Sequence, residues 1–168
     1  QSNKWVLKNL MIEATKRGVD PKRLVFASHT EHGQYLARFQ RADLYLDTFI
    51  YNAGATASNA LWAGLPVLTK RGQGYTARMA ASLLSALELP ELITDTEQAY
   101  EALALELVAN PARLAGLEAK LAANRMTTPL FDTEAFTRHL EDGYQQAYDR
   151  FFQGKAPDVI EVPSRALS

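Results

Sequence analysis

The sequence predicts an α/β fold, a parallel sheet with flanking helices. Four short apolar runs punctuate the chain up to residue 95: "LVFA" (24–27), "LYLDT" (44–48), "PVLT" (66–69) and "LITD" (92–95). Continuous runs of that length suit strands covered on both faces. Segments of helical period lie between and after them, and such alternation builds a parallel sheet. The loops at the strand ends, 28–34, 47–55 and 70–75, are rich in small or polar residues. In folds of this kind ligands bind outside the carboxyl ends of the strands.

Taken in order, residues 2–17 form a helix because Trp5, Val6, Leu10 and Ile12 to Ala14 recur near the helical period, and Gly18 stops it. "VDPKR" is a turn. The first strand, 24–27, leads through a loop into a helix within 28–42. The strand at 44–48 feeds the small-residue stretch "YNAGATASNALWAG" (51–64), which opens a helix carrying Leu61 and Trp62. The strand at 66–69 precedes a helix from residue 75, and the strand at 92–95 precedes helices at 96–110, 111–126 and 133–153. The last of these carries Phe136, Leu140, Tyr144, Ala147 and Phe151 on one side. The expected domain is residues 1–153, with 154–168 as a fraying tail.

Composition narrows the function. A chain of 168 residues with 47% hydrophobic and 22% charged residues has enough apolar side chains for a core. The net charge of −1 supplies no basic field for nucleic acid. No apolar stretch is long enough to span a membrane, and the opening "QSNKWVLKNL" lacks the pattern of a secretory leader. Without cysteine there is no disulfide, thiolate metal site or cysteine nucleophile. The expected location is cytoplasmic. His29, His32 and His139 are too scattered for a metal site.

The run of small residues at 51–64 has two readings. Small side chains let a helix pack closely on a sheet. They also let an anion approach the first N–H groups of a helix, which lack internal partners and carry partial positive charge. On the second reading Gly54 and the small Ala53, Ala55 and Ala57 admit a phosphate, Thr56 and Ser58 add hydroxyls, and Asn59 reaches a sugar hydroxyl. "KRGQG" (70–74) is a second candidate phosphate turn; otherwise it is a flexible turn with solvated Lys70 and Arg71. Neither stretch is a G-x-G-x-x-G or Walker pattern. Asp47, at a strand end, is placed to orient the loop by accepting backbone N–H bonds. The stripe of Tyr144, Tyr148, Phe151 and Phe152 has the spacing of core residues.

Three segments in order, "RLVFAS…EHGQYLARFQRADLYLDTFIYNAGATASNALWAGLPVLT", "GQGYTARMAASLL" and "TPLFDTEAFTRHLEDGYQQAYDRF", resemble the C-terminal catalytic lobe of the O-linked N-acetylglucosamine transferase family. That family includes the SPINDLY-like proteins and bacterial homologues with TPR repeats. The resemblance covers about residues 5–162 and implies a glycosyltransferase of the GT-B type, with two Rossmann-like lobes. This chain would be the second, donor-nucleotide lobe with its long C-terminal helix, part of a longer protein. The implied donor is a UDP-sugar, UDP-N-acetylglucosamine, with no metal or other cofactor. The implied acceptor is a protein Ser or Thr hydroxyl, bound through regions N-terminal to this lobe. No catalytic residue falls in this chain, so transfer by it alone is not expected.

The resemblance also implies site residues. His29 and Thr30 would contact the nucleobase through backbone groups. His32 stands where the family has a lysine facing the diphosphate, and Tyr35 where a histidine packs near the uracil. Arg38 matches an arginine of the family. Gly54, Ala55 and Thr56 fall on a His-Thr-Thr diphosphate motif, and Asn59 on an aspartate that holds the ribose hydroxyls. The changes at His32, Gly54 and Asn59 remove charge or polar groups, which leaves a second function open: an interaction module that keeps the fold without catalysis. A general dinucleotide binder is the third, disfavoured by the missing glycine fingerprint.

Overall fold

The computed structural model describes residues 3–163. Residue 2 and residues 164–168 of the expected first helix and tail lie outside the described residues. The chain divides into two compact units at the Arg38–Phe39 junction.

The first unit opens with helix α1 (Lys4–Lys16). Asn3 caps it by accepting from the Trp5 amide at 3.0 Å. Gly18, at φ +73°, closes it: the amides of Gly18 and Val19 return to Thr15 and Ala14 carbonyls. A 3-10 turn, Pro21–Arg23, follows, capped by Asp20. Residues 24–27 are then not a strand. No ladder includes them, and Val25 is 90% exposed. The apolar run signals burial, but a strand also requires a neighbouring backbone to accept and donate its hydrogen bonds, and none of the described ladders supplies one. Helix α2 (His32–Phe39) ends at the junction.

The second unit holds the sheet. Strands β1 (Tyr45–Leu46), β2 (Val67–Lys70) and β3 (Ile93–Thr94) run parallel in the order β1-β2-β3. Tyr45 pairs with Val67 and Leu46 with Leu68; Thr69 pairs with Ile93 and Lys70 with Thr94. The central strand is buried as far as Thr69, as its unbroken apolar run requires. Helices α3 (Ala55–Trp62), α4 (Met79–Ala86) and α5 (Glu97–Ala109) pack against β2, and α6 (Pro111–Asn124) packs on α5. Their shared core contains Leu61, Val67, Leu84, Leu92, Leu107 and Leu121. Thr96, Asn110 and Asp132 cap α5, α6 and the last helix, α7 (Thr133–Phe152).

Helix α7 buries no residue, and Phe136, Tyr144, Tyr148, Phe151 and Phe152 are exposed. Its stripe is therefore not core in this chain: helical spacing shows that apolar residues share a face, but not what covers that face. Among the described residues no helix is long and apolar enough to cross a membrane.

Candidate functional site

The loop between β1 and α3 is built around Asp47, which is 4% exposed. Asp47 Oδ1 accepts from the amides of Thr48 and Ala53, both at 2.8 Å, and Oδ2 accepts from the Thr69 hydroxyl at 2.7 Å. One carboxylate thus ties the end of β1 to the centre of the sheet and to the residue before Gly54. The Asp47 carbonyl accepts from the Tyr100 hydroxyl at 3.0 Å. Burial first, then the neighbouring Asp47 carboxylate and Tyr45, push the Tyr100 phenol up to about 12.

Within this loop the Tyr51 amide donates to the Phe49 carbonyl at 2.7 Å across Ile50, whose φ is +68°. That is a γ-turn in its rare, strained sense, at a β-branched residue. Its surroundings hold it. Thr48 Oγ1 donates to the Tyr51 carbonyl at 2.7 Å, and Thr76 Oγ1 to the Ile50 carbonyl at 3.2 Å. Asn52, 1% exposed, donates through Nδ2 to the Thr48 carbonyl at 2.8 Å and through its amide to the Thr76 carbonyl at 2.9 Å. Asn52 Oδ1 is buried without a partner among the described residues, and nothing in the structure explains it.

The small residues after this loop divide between the two readings. Ala57 and Ala60 are fully buried in the core and Ala53 packs against it, so these are packing residues. Ala55 and Thr56 are exposed. The first bond inside α3 runs from the Ser58 amide to the Gly54 carbonyl at 2.9 Å, which leaves the amides of residues 55–57 at the open end of the helix. Gly54 offers no side-chain cap. Asn59 is half-buried and lies one turn on from Thr56.

The 70–74 turn is exposed at Arg71, Gln73 and Gly74, and side chains on either side of it are paired. Lys70 Nζ lies 3.0 Å from Glu97 Oε1 and 4.4 Å from the centre of the Phe49 ring. Arg71 Nε donates to Asp95 Oδ1 at 3.0 Å, and its Nη2 lies 2.8 Å from the same oxygen. The Gly72 amide donates to the Ala77 carbonyl at 2.7 Å, and a Cβ on Gly72 would lie 2.6 Å from that of Ala77. Arg71 is exposed, as the turn reading expects, whereas Lys70 is mostly covered; their acidic partners, Asp95 and Glu97, come from beyond the next strand and are invisible in the local sequence.

In the first unit, Thr30 is half-buried and bonded to Gln34, while His29 and His32 are exposed. The His32 and Tyr35 rings stack on α2 with centroids 6.2 Å apart. Arg38 returns a guanidinium nitrogen to the Ser28 carbonyl at 3.0 Å. The structure thus gathers Thr30, His32, Tyr35 and Arg38 around the start of α2, and Gly54, Ala55, Thr56 and Asn59 along the first turns of α3. Among the described residues no group of three or more His, Asp or Glu side chains is placed to hold a metal ion.

Sequence reasoning missed Asn52, Thr69, Thr76 and Tyr100. One signal was present for Thr69: a hydroxyl closing an otherwise apolar strand usually has a designated partner.

Residues 6–140 match the model of glycosyl transferase family 41. The chain is 34% identical to a Caenorhabditis elegans protein named UDP-N-acetylglucosamine–peptide N-acetylglucosaminyltransferase, over 86% of this chain and 13% of that one. It is 32% identical to the Arabidopsis thaliana protein SEC, named a probable enzyme of the same activity, over 89% of this chain and 15% of that one. A solved mutant O-GlcNAc transferase of Thermobaculum terrenum superimposes with a TM-score of 0.82 at 32% identity, over 92% of this chain and 30% of the solved one. The fold is therefore that of part of a GT-B catalytic lobe, and the chain spans 13–15% of the two named relatives' length and 30% of the solved chain.

Proposed function

The chain belongs to glycosyl transferase family 41, and on that premise we propose that it is the donor-nucleotide part of a protein N-acetylglucosaminyltransferase. Its donor is UDP-N-acetylglucosamine and its acceptor the Ser and Thr hydroxyls of proteins. The observation that carries the reading is the open first turn of α3, with exposed Ala55 and Thr56, set immediately after a loop fixed by Asp47. The amides of residues 55–57 receive the diphosphate, supported by the helix dipole. Thr56 adds a hydroxyl, and Asn59 holds the ribose. His29 and Thr30 contact the base through their backbone, with Tyr35 and Arg38 of the same unit, and His32 stands where the family has a lysine for the diphosphate. The leaving diphosphate is stabilised without a metal, by backbone N–H groups and cationic side chains. With the reading goes a cytoplasmic location.

A transferase also needs a base within reach of the acceptor hydroxyl and a cleft closed to water. Those belong to regions of a longer protein, and the chain alone is expected to transfer no sugar. Measurable transfer from UDP-N-acetylglucosamine to peptide by the purified chain would refute that part. For the site, calorimetry with UDP, UDP-sugars, GDP and NAD should show binding of the uridine nucleotides alone. Amide resonances of Thr30, Arg38, Gly54 and Thr56 should move with UDP. Shifts confined to α7, or none at millimolar UDP, would overturn the assignment. The exposed aromatic face of α7 favours the second reading, an interaction module without donor binding, and the calorimetry separates the two.

A further inference from the structure

The loop from Arg71 to Tyr75 and the start of α4 enclose a separate pocket of about 350 Å³, lined chiefly by Arg71, Tyr75, Arg78, Met79, Ser82 and Ser85. Two arginines are among its lining residues, and no acidic residue is. Arg71 is already compensated, with two nitrogens on one oxygen of Asp95. Arg78 is not: among the described residues neither an ion pair nor a side-chain hydrogen bond engages it. Arg78 thus brings an uncompensated positive charge to the pocket, and an anion bound there is attracted to it. The planar fork of arginine fits phosphoryl oxygens, and serine and tyrosine hydroxyls supply further donors.

The pocket is anchored to the loop that precedes α3. Arg78 closes the 3-10 turn Thr76–Arg78. That turn is bolted down by the Asn52 amide on the Thr76 carbonyl and by the Thr76 hydroxyl on the Ile50 carbonyl. The next residue, Met79, lines the pocket and also places its Cε 3.5 Å from where a Cβ on Gly54 would stand. Met79 is thus a common wall between the pocket and the open end of α3.

We propose that this pocket is a phosphoryl-binding subsite, in which Arg78 holds a phosphate oxygen directly and Arg71, kept in place by Asp95, adds charge. The phosphoryl group comes either from the donor's own diphosphate, which rests on the donor reading above, or from a separate phosphate monoester.

The test titrates the 168-residue chain and its Arg78→Gln variant with UDP, uridine and inorganic phosphate, against sodium chloride at matched ionic strength. Amide resonances are followed at residues 78 and 82 and, separately, at 54 and 56. A donor source predicts that UDP, but not uridine, moves Arg78 and Ser82, and that Arg78→Gln weakens UDP about tenfold while leaving uridine unchanged. A separate source predicts that inorganic phosphate moves Arg78 and Ser82, that UDP moves only 54 and 56, and that Arg78→Gln abolishes the phosphate response. The subsite is overturned if neither ligand moves residues 78 and 82 beyond the chloride control, or if Arg78→Gln binds both as the parent does. Loss of the UDP response at 54 and 56 counts instead against the donor reading, which the phosphate arm does not touch.

Discussion

Removing the Asp47 carboxylate should release the loop ahead of α3, and the structure says by how much. Asp47→Ala strands three donors, the amides of Thr48 and Ala53 and the Thr69 hydroxyl. Thr48 is exposed, so its amide finds water. Ala53 is half-buried and Thr69 fully buried. Leaving a buried donor without a partner costs about 1–3 kcal/mol, and two such donors set the expected loss at about 3–4 kcal/mol, the Thr69 hydroxyl recovering part of it by rotation. Asp47→Asn keeps an oxygen for both amides, in neutral bonds about half as strong as charge-assisted ones. It also turns an N–H2 toward Thr69, whose hydroxyl must swing from donor to acceptor. That substitution should cost about 1–2 kcal/mol, from the same hydrogen-bond scale. Urea denaturation at unchanged m-value measures both. Hydrogen exchange at the Ala53 amide supplies the local readout and should accelerate in both variants, more in the alanine. Equal losses below about 0.5 kcal/mol, within the range of ordinary surface substitutions, or unaltered exchange at Ala53, would show that Asn52 and Thr76 hold the loop and Asp47 does not.

Ile50→Gly should stabilise the chain by about 0.5–1 kcal/mol: a left-handed backbone costs a branched residue about 1–2 kcal/mol, glycine gives some of that back as chain entropy, and the 86% exposed side chain has little burial to lose. A drop in the urea midpoint would mean that the γ-turn is not strained. Gly72→Ala should destabilise by about 1–3 kcal/mol, the range for overpacking, because its Cβ would stand 2.6 Å from that of Ala77; an unchanged midpoint would place the turn elsewhere. For Tyr100 the sign follows from a phenol raised to about 12 in the fold against an ordinary 10. Its contribution to stability is complete below pH 10 and is lost as pH rises through 12, since the unfolded chain gives up the proton first. An ultraviolet titration should show a late transition that is lost in Tyr100→Phe and moves earlier in Asp47→Asn; a titration curve unchanged by Tyr100→Phe at its alkaline end would contradict this.

What the sequence made legible follows from the range of the forces involved. Helices α1, α5, α6 and α7 were readable because periodicity, caps and glycine stops are local, and Asn3, Thr96, Asn110 and Asp132 sit where capping places them. All three strands of the sheet were readable as apolar runs. A fourth apolar run, at 24–27, has a similar composition and no ladder, since pairing depends on another stretch of backbone that composition does not report. Asp47 was legible as a loop anchor because a carboxylate at a strand end has few other uses. Its hydroxyl partner Thr69 lies 22 residues away and the Tyr100 contact 53, beyond any local pattern. The same distance hid the pairing of Lys70 with Glu97. The two readings of "YNAGATASNALWAG" could not be separated by sequence because both use small side chains, and only burial assigns Ala57 to packing and leaves Ala55 open.

Gly54 is where the two demands on α3 meet. A Cβ there would touch only Met79 Cε, at an ordinary 3.5 Å, so space does not explain the glycine. Gly54→Ala therefore serves as a control for the added methyl, and Gly54→Asp adds charge at the same point. A carboxylate beside a helix N-terminus stabilises the fold by about 0.3–1 kcal/mol. The same carboxylate stands beside the amides of residues 55–57, where the donor diphosphate is proposed to bind. Two unit charges 4 Å apart repel by about 1 kcal/mol in water and more where solvent is thinned, and a diphosphate carries more than one. Relative to Gly54→Ala, Gly54→Asp should raise the urea midpoint slightly and weaken UDP by about 5- to 30-fold. Uridine, which lacks the phosphates, should bind both variants alike. A variant that gains stability and keeps its UDP affinity would move the diphosphate away from α3. One that loses uridine and UDP equally would mean that residue 54 acts through the shape of the loop and not through the field at the helix end.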